Sequence, residues 1–158
     1  MHDMTSPPSI SPLAQSLLDT CLCHNARMAS RVVTRAYDEA LRPTGLRATQ
    51  VAVLAAVGAR GALSITSLAD SLEMERTTLT RNLRPLAEQG YVALGPEGRH
   101  RSRVLTLTSS GRAALLEALP LWQGAQRAAM QQLGERRWPA VRKAFADLIK
   151  NVHRPSSS

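Results

Sequence analysis

The segment from Arg76 to Gln89 carries two different stripes of side chains on one predicted helix. Apolar side chains recur at helical spacing on one stripe, namely Leu79, Leu83 and Leu86. Hydroxyl and guanidinium groups form the other stripe, namely Thr77, Thr80, Arg81 and Arg84. Arginine suits the O6 and N7 atoms of guanine, and the threonine methyl suits the methyl group of thymine. The pattern predicts a helix that packs on one face and meets the DNA major groove on the other, although a solvated helix face has the same stripe.

A second basic segment follows this helix closely. Tyr91 to Leu94 and Arg103 to Thr108 are predicted strands, and the loop between them, GPEGRHRS, suits the tip of a hairpin. The basic side chains of this hairpin are Arg99, His100, Arg101 and Arg103. A hairpin at this place would reach the minor groove beside the helix. The two elements together favour DNA contact over a solvated surface.

Shorter elements lead up to the helix and the hairpin. A buried helix is predicted from Thr49 to about Gly61, followed by a brief strand from Leu63 to Ile65. Thr66 is the predicted N-cap of the next helix, SLADSLEM, which ends in a turn from Glu73 to Glu75. Residues 46–108 are therefore predicted to form a winged helix-turn-helix, with residues 64–108 as its DNA-contacting part.

Long helical segments flank this domain. Apolar residues recur at helical spacing from Ser11 to Pro43, which predicts one long helix or two collinear helices. Two further helices are predicted from Ser109, with breaks near Pro120 and from Gly134 to Pro139. Such stripes exceed what a small core covers, so residues 11–45 and 109–150 are predicted dimerisation helices of a homodimer. Residues 1–10 and 151–158 are predicted disordered tails. The expected fold class is α+β, mainly α.

The net charge of the chain narrows the range of partner molecules that it is expected to bind. Twenty Lys and Arg residues against twelve Asp and Glu residues give a formal net charge of +8, which favours nucleic acid or an anionic membrane surface. Lysine occurs only at Lys143 and Lys150, and guanidinium groups suit phosphates and guanine. No apolar run approaches the roughly 18 residues of a membrane span, and the start, MHDMTSPPSISP, has no signal-peptide pattern. A cytoplasmic protein without a membrane partner is expected.

The string CLCHNAR holds both cysteines of the chain. On a helix, Cys21 and Cys23 project about 200° apart, so one chain does not readily bring both to one ion or to an unstrained disulfide. Cys21 and His24 do share a face, an arrangement that suits thiol chemistry or a soft metal. Two explanations stay open: inert thiols that act as small hydrophobes, or a sensor at Cys21, Cys23 and His24, with both thiols as ligands of a soft metal or metalloid. No cofactor is expected to be required, and the soft metal or metalloid of the second explanation would be bound by the two thiols.

Three strings of the chain resemble the multiple antibiotic resistance regulators, the MarR family. They are LRATQVAVLAAV, SITSLADSLEMERTTLTRNLRPLAEQGYV and RVLTLTSSGR, and the resemblance extends over approximately residues 20–150. In the last string, the Leu-Thr-x-x-Gly pattern marks the return to the dimerisation helices. The resemblance implies a dimeric winged-helix transcription factor on a pseudo-palindromic double-stranded DNA operator, most simply a repressor that a small-molecule inducer, oxidant or soft metal releases.

The resemblance also implies roles for individual residues. Contacts to base edges or nearby phosphates are implied for Arg76, Thr77, Thr80 and Arg81, and Arg101 matches the arginine of the wing that enters the minor groove. Family members usually have Asp two residues before that arginine, where this chain has Arg99, so the wing is expected to bind more by charge than by fixed geometry. The predicted DNA-binding set is completed by Thr78, Arg84, His100 and Arg103.

One alternative function comes from another class. A basic helical protein that binds an anionic membrane or a protein partner would share the charge, but it would not need the order of helix, turn, helix and wing. An enzyme is not expected, because no acid, base, nucleophile or metal set converges in the sequence.

Overall fold

The computed structural model describes residues 10–97 and 103–152. The helices are α1 (Ile10–Thr20), α2 (Leu22–Leu41), α3 (Ala48–Arg60), α4 (Ile65–Ser71), α5 (Arg76–Glu88), α6 (Ser109–Leu133) and α7 (Trp138–Val152). The strands are β1 (Leu63–Ser64), β2 (Val92–Glu97) and β3 (Arg103–Leu107), and short 3₁₀ helices lie at Arg42–Thr44 and Glu135–Arg137. The predicted α+β, mainly helical class is confirmed. Of the predicted tails, residues 1–9 and 153–158 lie outside the described residues.

The chain divides into two units, Met1–Ala36 and Tyr37–Ser158. In the first unit, α1 passes into α2 through Cys21, where the backbone hydrogen bonds from Cys21 to Leu17 and from Asn25 to Cys21 are still made. The Asn25 side-chain amide lies within hydrogen-bond distance of the carbonyl oxygens of Leu18, at 3.2 Å, and of Cys21, at 3.0 Å. This amide thus gives the Leu18 carbonyl a donor at the helix break, whereas the Cys21 carbonyl also accepts from the Asn25 backbone N–H. Of the two predicted alternatives, one long helix or two helices, the structure has two.

The core of the second unit is built around α3. Val53, Leu54 and Val57 of this helix are fully buried, and they pack among leucines of α4, α5 and β3. The largest fully buried residues of these three elements are Leu68, Leu79, Leu86 and Leu105. Because the core residues are almost all Leu, Val and Ala, the helices and the sheet are held mainly by non-directional apolar burial.

The three strands form one antiparallel sheet in the order β1-β3-β2. Leu105 at the centre of β3 pairs with Leu63 on one side and with Leu94 on the other. The register of β2 and β3 shifts between Leu94 and Glu97, next to the hairpin tip. Residues 98–102, which include Arg99, His100 and Arg101, lie outside the described residues. The described strands supply the base of a wing.

A tight turn connects α4 to α5. The Met74 N–H donates to the Ala69 carbonyl at 2.9 Å, and the Glu73 N–H donates to the Asp70 carbonyl at 3.3 Å. Glu73 itself has φ 49°, the left-handed conformation that usually requires glycine at this place of a Schellman motif. The same motif ends α5, with Gly90 at φ 71°. The two ends set the directions in which the chain leaves α4 and α5.

Two predicted helix limits are wrong. Ser64, not Thr66, is the N-cap of α4, since its hydroxyl accepts a hydrogen bond from the Ser67 N–H at 3.0 Å. The helix also begins one residue after β1, which leaves Thr66 inside its first turn. No break occurs at Pro120, because α6 continues to Leu133. A proline removes one helical hydrogen bond, and burial of Ala118 beside it helps to keep this helix continuous.

The start of α6 rests against the turn that follows α5. The Thr108 hydroxyl oxygen accepts from the Gly111 N–H at 3.0 Å, and the Ser110 hydroxyl donates to the Gly90 carbonyl at 2.8 Å. A Cβ atom on Gly111 would lie 2.0 Å from the Tyr91 carbonyl oxygen, closer than any two such atoms can approach. Steric contact with backbone explains why the Leu-Thr-x-x-Gly pattern ends in glycine.

Several helices expose apolar side chains that the described part of the chain leaves uncovered. In the first unit, these include Leu13, Leu17, Leu22, Val32 and Val33. In the second unit, they include Leu116, Leu119, Phe145, Ile149 and Val152. Apolar rows of this extent are typical of surfaces that a second subunit covers. No helix of the described ranges 10–97 and 103–152 is long and apolar enough to cross a membrane.

Replacement of Gly111 by Ala tests the packing at the start of α6. We expect Gly111→Ala to lower the free energy of unfolding by about 3 kcal/mol, because the new methyl group must displace the Tyr91 backbone. This corresponds to a Tm lower by roughly 6–12 °C in thermal unfolding followed by circular dichroism. Gly124→Ala in the same helix is the control, since nothing lies within 4 Å of its added Cβ atom, and it should keep or raise the Tm. Equal Tm values for the two variants would contradict this account of Gly111.

Candidate nucleic-acid interface

The exposed face of α5 holds all the side chains of this helix that were predicted to contact DNA. The exposed residues are Arg76, Thr77, Thr78, Thr80, Arg81 and Arg84. On the opposite face, Leu79, Leu83 and Leu86 are 0%, 4% and 0% exposed. The structure therefore brings the hydroxyl and guanidinium groups together on one surface, and it does so by burying the leucines behind them.

The polar side chains of α5 differ in how far neighbouring groups already use their hydrogen-bonding capacity and charge. The Thr80 hydroxyl donates to the Arg76 carbonyl at 2.7 Å, so its proton is used within the helix and its methyl group and oxygen lone pairs remain for a partner. Arg84 donates from Nε to the Glu88 carboxylate at 2.9 Å, and this hydrogen bond and charge raise the pKa of Arg84. Among the described residues, no carboxylate forms an ion pair with Arg81. Arg81 thus has an uncompensated charge, whereas that of Arg84 is partly offset.

An acidic cleft borders the N-terminal end of α5. Its volume is about 420 Å³, and carboxylates of Asp70, Glu73 and Glu75 line it together with Arg76. Acidic groups near a helix N-terminus interact favourably with the helix dipole. The guanidinium of Arg76 in the same lining offsets part of their negative charge.

A hydrogen bond between α3 and α5 was not foreseen from the sequence. The Thr49 hydroxyl donates to Asn82 Oδ1 at 3.1 Å, and the Asn82 amide nitrogen donates to the Thr78 carbonyl at 3.0 Å. Asn82 lies between the buried stripe and the exposed face of α5. Thirty-three positions separate Thr49 from Asn82 in the chain, and no local spacing rule connects residues so far apart.

Of the predicted DNA-binding residues of the wing, only Arg103 is among the described residues. Arg99, His100 and Arg101 lie outside the described residues, and the backbone of Arg103 pairs with Glu97 at the end of the hairpin. Their roles in DNA contact, including the consequence of Arg99 in place of the usual Asp, stay predictions.

A second cavity, of about 350 Å³, lies between the end of α2, α3 and α6. Its lining is mainly apolar, and the lining residues are Tyr37, Ala48, Val51, Ala52, Ala55, Leu115, Leu119 and Trp122. The Tyr37 hydroxyl donates to the Gln126 side-chain oxygen, and burial raises the pKa of Tyr37, so this phenol stays protonated at neutral pH. The cavity can take a small, largely apolar molecule.

The predicted sensor residues lie at the break between α1 and α2. Cys21 is half-buried, Cys23 is exposed, and both are free thiols. The His24 N–H lies 3.5 Å from the Cys21 sulfur, so the thiol acts as a weak acceptor at the start of α2. Within residues 10–97 and 103–152, no three His, Cys, Asp or Glu residues group as metal ligands. A role for Cys21, Cys23 and His24 in sensing, or for the two thiols in metal binding, stays a prediction.

Known proteins share this architecture. The sequence model of the MarR family matches residues 44–101, which span α3, α4, α5 and β2. The crystal structure of the M. tuberculosis transcriptional regulator MosR is 39% identical, covers 85% of this chain and 97% of its own, and has a TM-score of 0.75. The structure of MosR in complex with DNA is also 39% identical, with coverage of 84% and 96% and a TM-score of 0.76.

More distant structures share the fold alone. A mutant of E. coli MarR complexed with operator DNA is 20% identical, covers 84% of this chain and 96% of its own, and has a TM-score of 0.73. No curated protein sequence is significantly similar to the chain.

The sensor prediction is tested by replacing Cys21 and Cys23 together by Ser. If the thiols sense a signal, the wild-type chain should release DNA on addition of a hydroperoxide, zinc, copper or trivalent arsenic, and the double variant should stay bound. The measurement is a gel shift with each reagent, and DNA binding of the untreated variant is the control. Unchanged release from the double variant, or no release from the wild-type chain, would leave the thiols as small hydrophobes.

Proposed function

Because the chain belongs to the MarR family of transcriptional regulators, we propose that it is a homodimeric, sequence-specific DNA-binding repressor. It binds a pseudo-palindromic operator in double-stranded DNA, and a small molecule releases it. The proposal is supported most directly by the exposed face of α5, where Arg81, which pairs with no carboxylate of the described residues, lies among threonine hydroxyl and methyl groups. MosR, at 39% identity, has been crystallised in complex with DNA.

The side chains of α5 suit the edges of base pairs. A guanidinium without a carboxylate partner pays no cost for breaking an ion pair before it contacts guanine, so Arg81 is the proposed main base contact. The methyl groups of Thr77 and Thr80 are proposed to contact thymine. Arg76 and Arg84 are proposed to contact phosphates on either side, with Thr78 near the backbone. Phosphate contacts fix the register of the helix, and base contacts give the sequence preference.

The dimer follows from the uncovered apolar rows of the flanking helices. Two copies that cover these rows around a twofold axis present two α5 helices to the same face of DNA. Helices placed in this way enter successive major grooves about one helical turn apart. An operator with two related half-sites is therefore proposed.

The wing and the net charge act on every DNA sequence alike. Arg99, His100, Arg101 and Arg103 are proposed to hold the backbone and the minor groove, and the net charge of +8 adds long-range attraction. Affinity should fall steeply with salt, because each neutralised phosphate contributes about 0.9 to the slope of log K against log salt.

A small, mainly apolar molecule is the proposed releasing ligand. The cavity beside α3 has the volume and lining for such a molecule, and the Tyr37 hydroxyl lies at its wall. A ligand of this kind releases DNA only if it binds the non-binding conformation more tightly than the DNA-bound one. Thiol chemistry at Cys21 and Cys23 is a second proposed signal.

Substitution of single arginines on α5 tests the DNA contact. We expect Arg81→Ala to weaken binding to the operator by about 1–3 kcal/mol and to relax the preference over unrelated DNA. Arg84→Ala removes a proposed phosphate contact whose charge Glu88 partly offsets, so it should weaken binding to operator and unrelated DNA alike, by less than about threefold, and leave the preference unchanged. Fluorescence anisotropy with labelled DNA from beside its own gene, at fixed salt, measures both. Full operator affinity in Arg81→Ala, or an equal loss in both variants, would contradict the assignment.

A further inference from the structure

A polar pair joins α3 to α5 at the flank of the buried leucine stripe. Thr49 on α3 donates its hydroxyl proton to Asn82 Oδ1 on α5 at 3.1 Å, and both side chains are half-buried. Asn82 is also fixed from its own helix, since its amide nitrogen donates to the Thr78 carbonyl at 3.0 Å. The Asn82 side chain therefore moves with α5, and a turn of the helix distorts its hydrogen bond to Thr49.

The pair supplies a directional restraint that apolar packing lacks. Burial of the leucines holds α5 on the core, but its free energy depends on area and changes little when the helix turns slightly. A hydrogen bond weakens steeply when its distance and angle change. Among the described residues, Thr49 and Asn82 form the one side-chain hydrogen bond between α3 and α5. This bond therefore opposes small rotations of α5 about its axis, which would change the direction of Arg81.

The face of α3 next to Thr49 forms a wall of the apolar cavity. Ala48, next to Thr49 in the chain, lines the cavity and donates its N–H to the Asp38 carboxylate at 2.7 Å. Ala52 and Ala55 line the cavity further along the same helix. Their side chains are small, so an occupant of the cavity lies close to the α3 backbone. Any displacement of α3 by such an occupant is carried to Thr49, because a helix moves as a stiff body.

We infer that Thr49 and Asn82 are a positioning pair that sets the rotation of α5 and connects occupancy of the cavity to DNA specificity. The inference rests on the proposed function, and it assigns no contact between this pair and DNA. Without the pair, the base-contacting side chains are no longer held in one direction, but the guanidinium charges that attract phosphates remain. Specific binding falls, and non-specific binding stays.

The first experiment removes the hydroxyl and restores it. Thr49→Val keeps the shape of the side chain without its donor, and Thr49→Ser keeps the donor. We expect Thr49→Val to lower the ratio of operator to unrelated-DNA affinity by roughly three- to tenfold, with non-specific affinity unchanged and the Tm within about 3 °C. Thr49→Ser should keep the wild-type ratio. Asn82→Ala should lower the ratio as Thr49→Val does, and the double variant should lower it no further.

The second experiment fills the cavity without a ligand. Ala52→Leu adds bulk at the α3 wall, and Ala52→Ser adds little bulk at the same position. We expect Ala52→Leu to lower the specificity ratio in the Thr49 chain and to have no further effect in the Thr49→Val chain. Ala52→Ser should leave the ratio unchanged. A loss of equal size in both backgrounds, or no loss in the Thr49 chain, would overturn the connection between cavity and pair.

The outcomes separate this inference from the proposed function. A wild-type chain that prefers no DNA sequence would defeat the proposed function itself. A wild-type preference that Thr49→Val retains would defeat the positioning role alone. A parallel fall in specific affinity, non-specific affinity and Tm would assign the pair a purely structural role and would also overturn the inference.

Discussion

Complete burial of Leu79, Leu83 and Leu86 is the constraint on which the interface depends. A helix turns by about 100° per residue, so the burial of this stripe decides which side chains of α5 face outward. Each buried leucine contributes about 1.5–3 kcal/mol, so the three leucines together outweigh a single surface contact of Arg81. The core behind α5 thus decides which of its faces is exposed, before any partner is present.

Helix α3 is the element that connects this face to the rest of the second unit. Its buried valines and Leu54 pack against α5 and β3, its first turn bonds to Asp38, and its alanines line the apolar cavity. A regulator needs a connection between a signal and its DNA-contacting helix. In this chain, α3 lies between the apolar cavity and α5, and it is joined to α5 by apolar burial and by the Thr49–Asn82 hydrogen bond.

Local patterns in the sequence predicted much of this architecture. The leucine stripe and the polar stripe of α5 follow from helical spacing, and the exposed side chains are those expected. The N-cap of α4 was misplaced because both Ser64 and Thr66 are suitable capping residues, and the choice depends on where β1 ends. The sequence predicts a break near Pro120, whereas α6 continues to Leu133, because tertiary packing that keeps a helix continuous has no local signal. The Thr49–Asn82 bond and the cavity join distant parts of the chain, and the reason for Gly111 is a steric contact with Tyr91, so only the folded structure reveals them.

Footprinting of the chain on DNA from beside its own gene tests the central claim most directly. A homodimer that places one α5 in each of two successive major grooves should protect two segments from hydroxyl radicals, related by approximate twofold symmetry and about 10 base pairs apart. The protection should persist in an excess of unrelated DNA. A single protected segment would contradict the symmetric dimer. Protection that unrelated DNA abolishes would contradict sequence-specific binding, and it would leave only a basic protein attracted to polyanions.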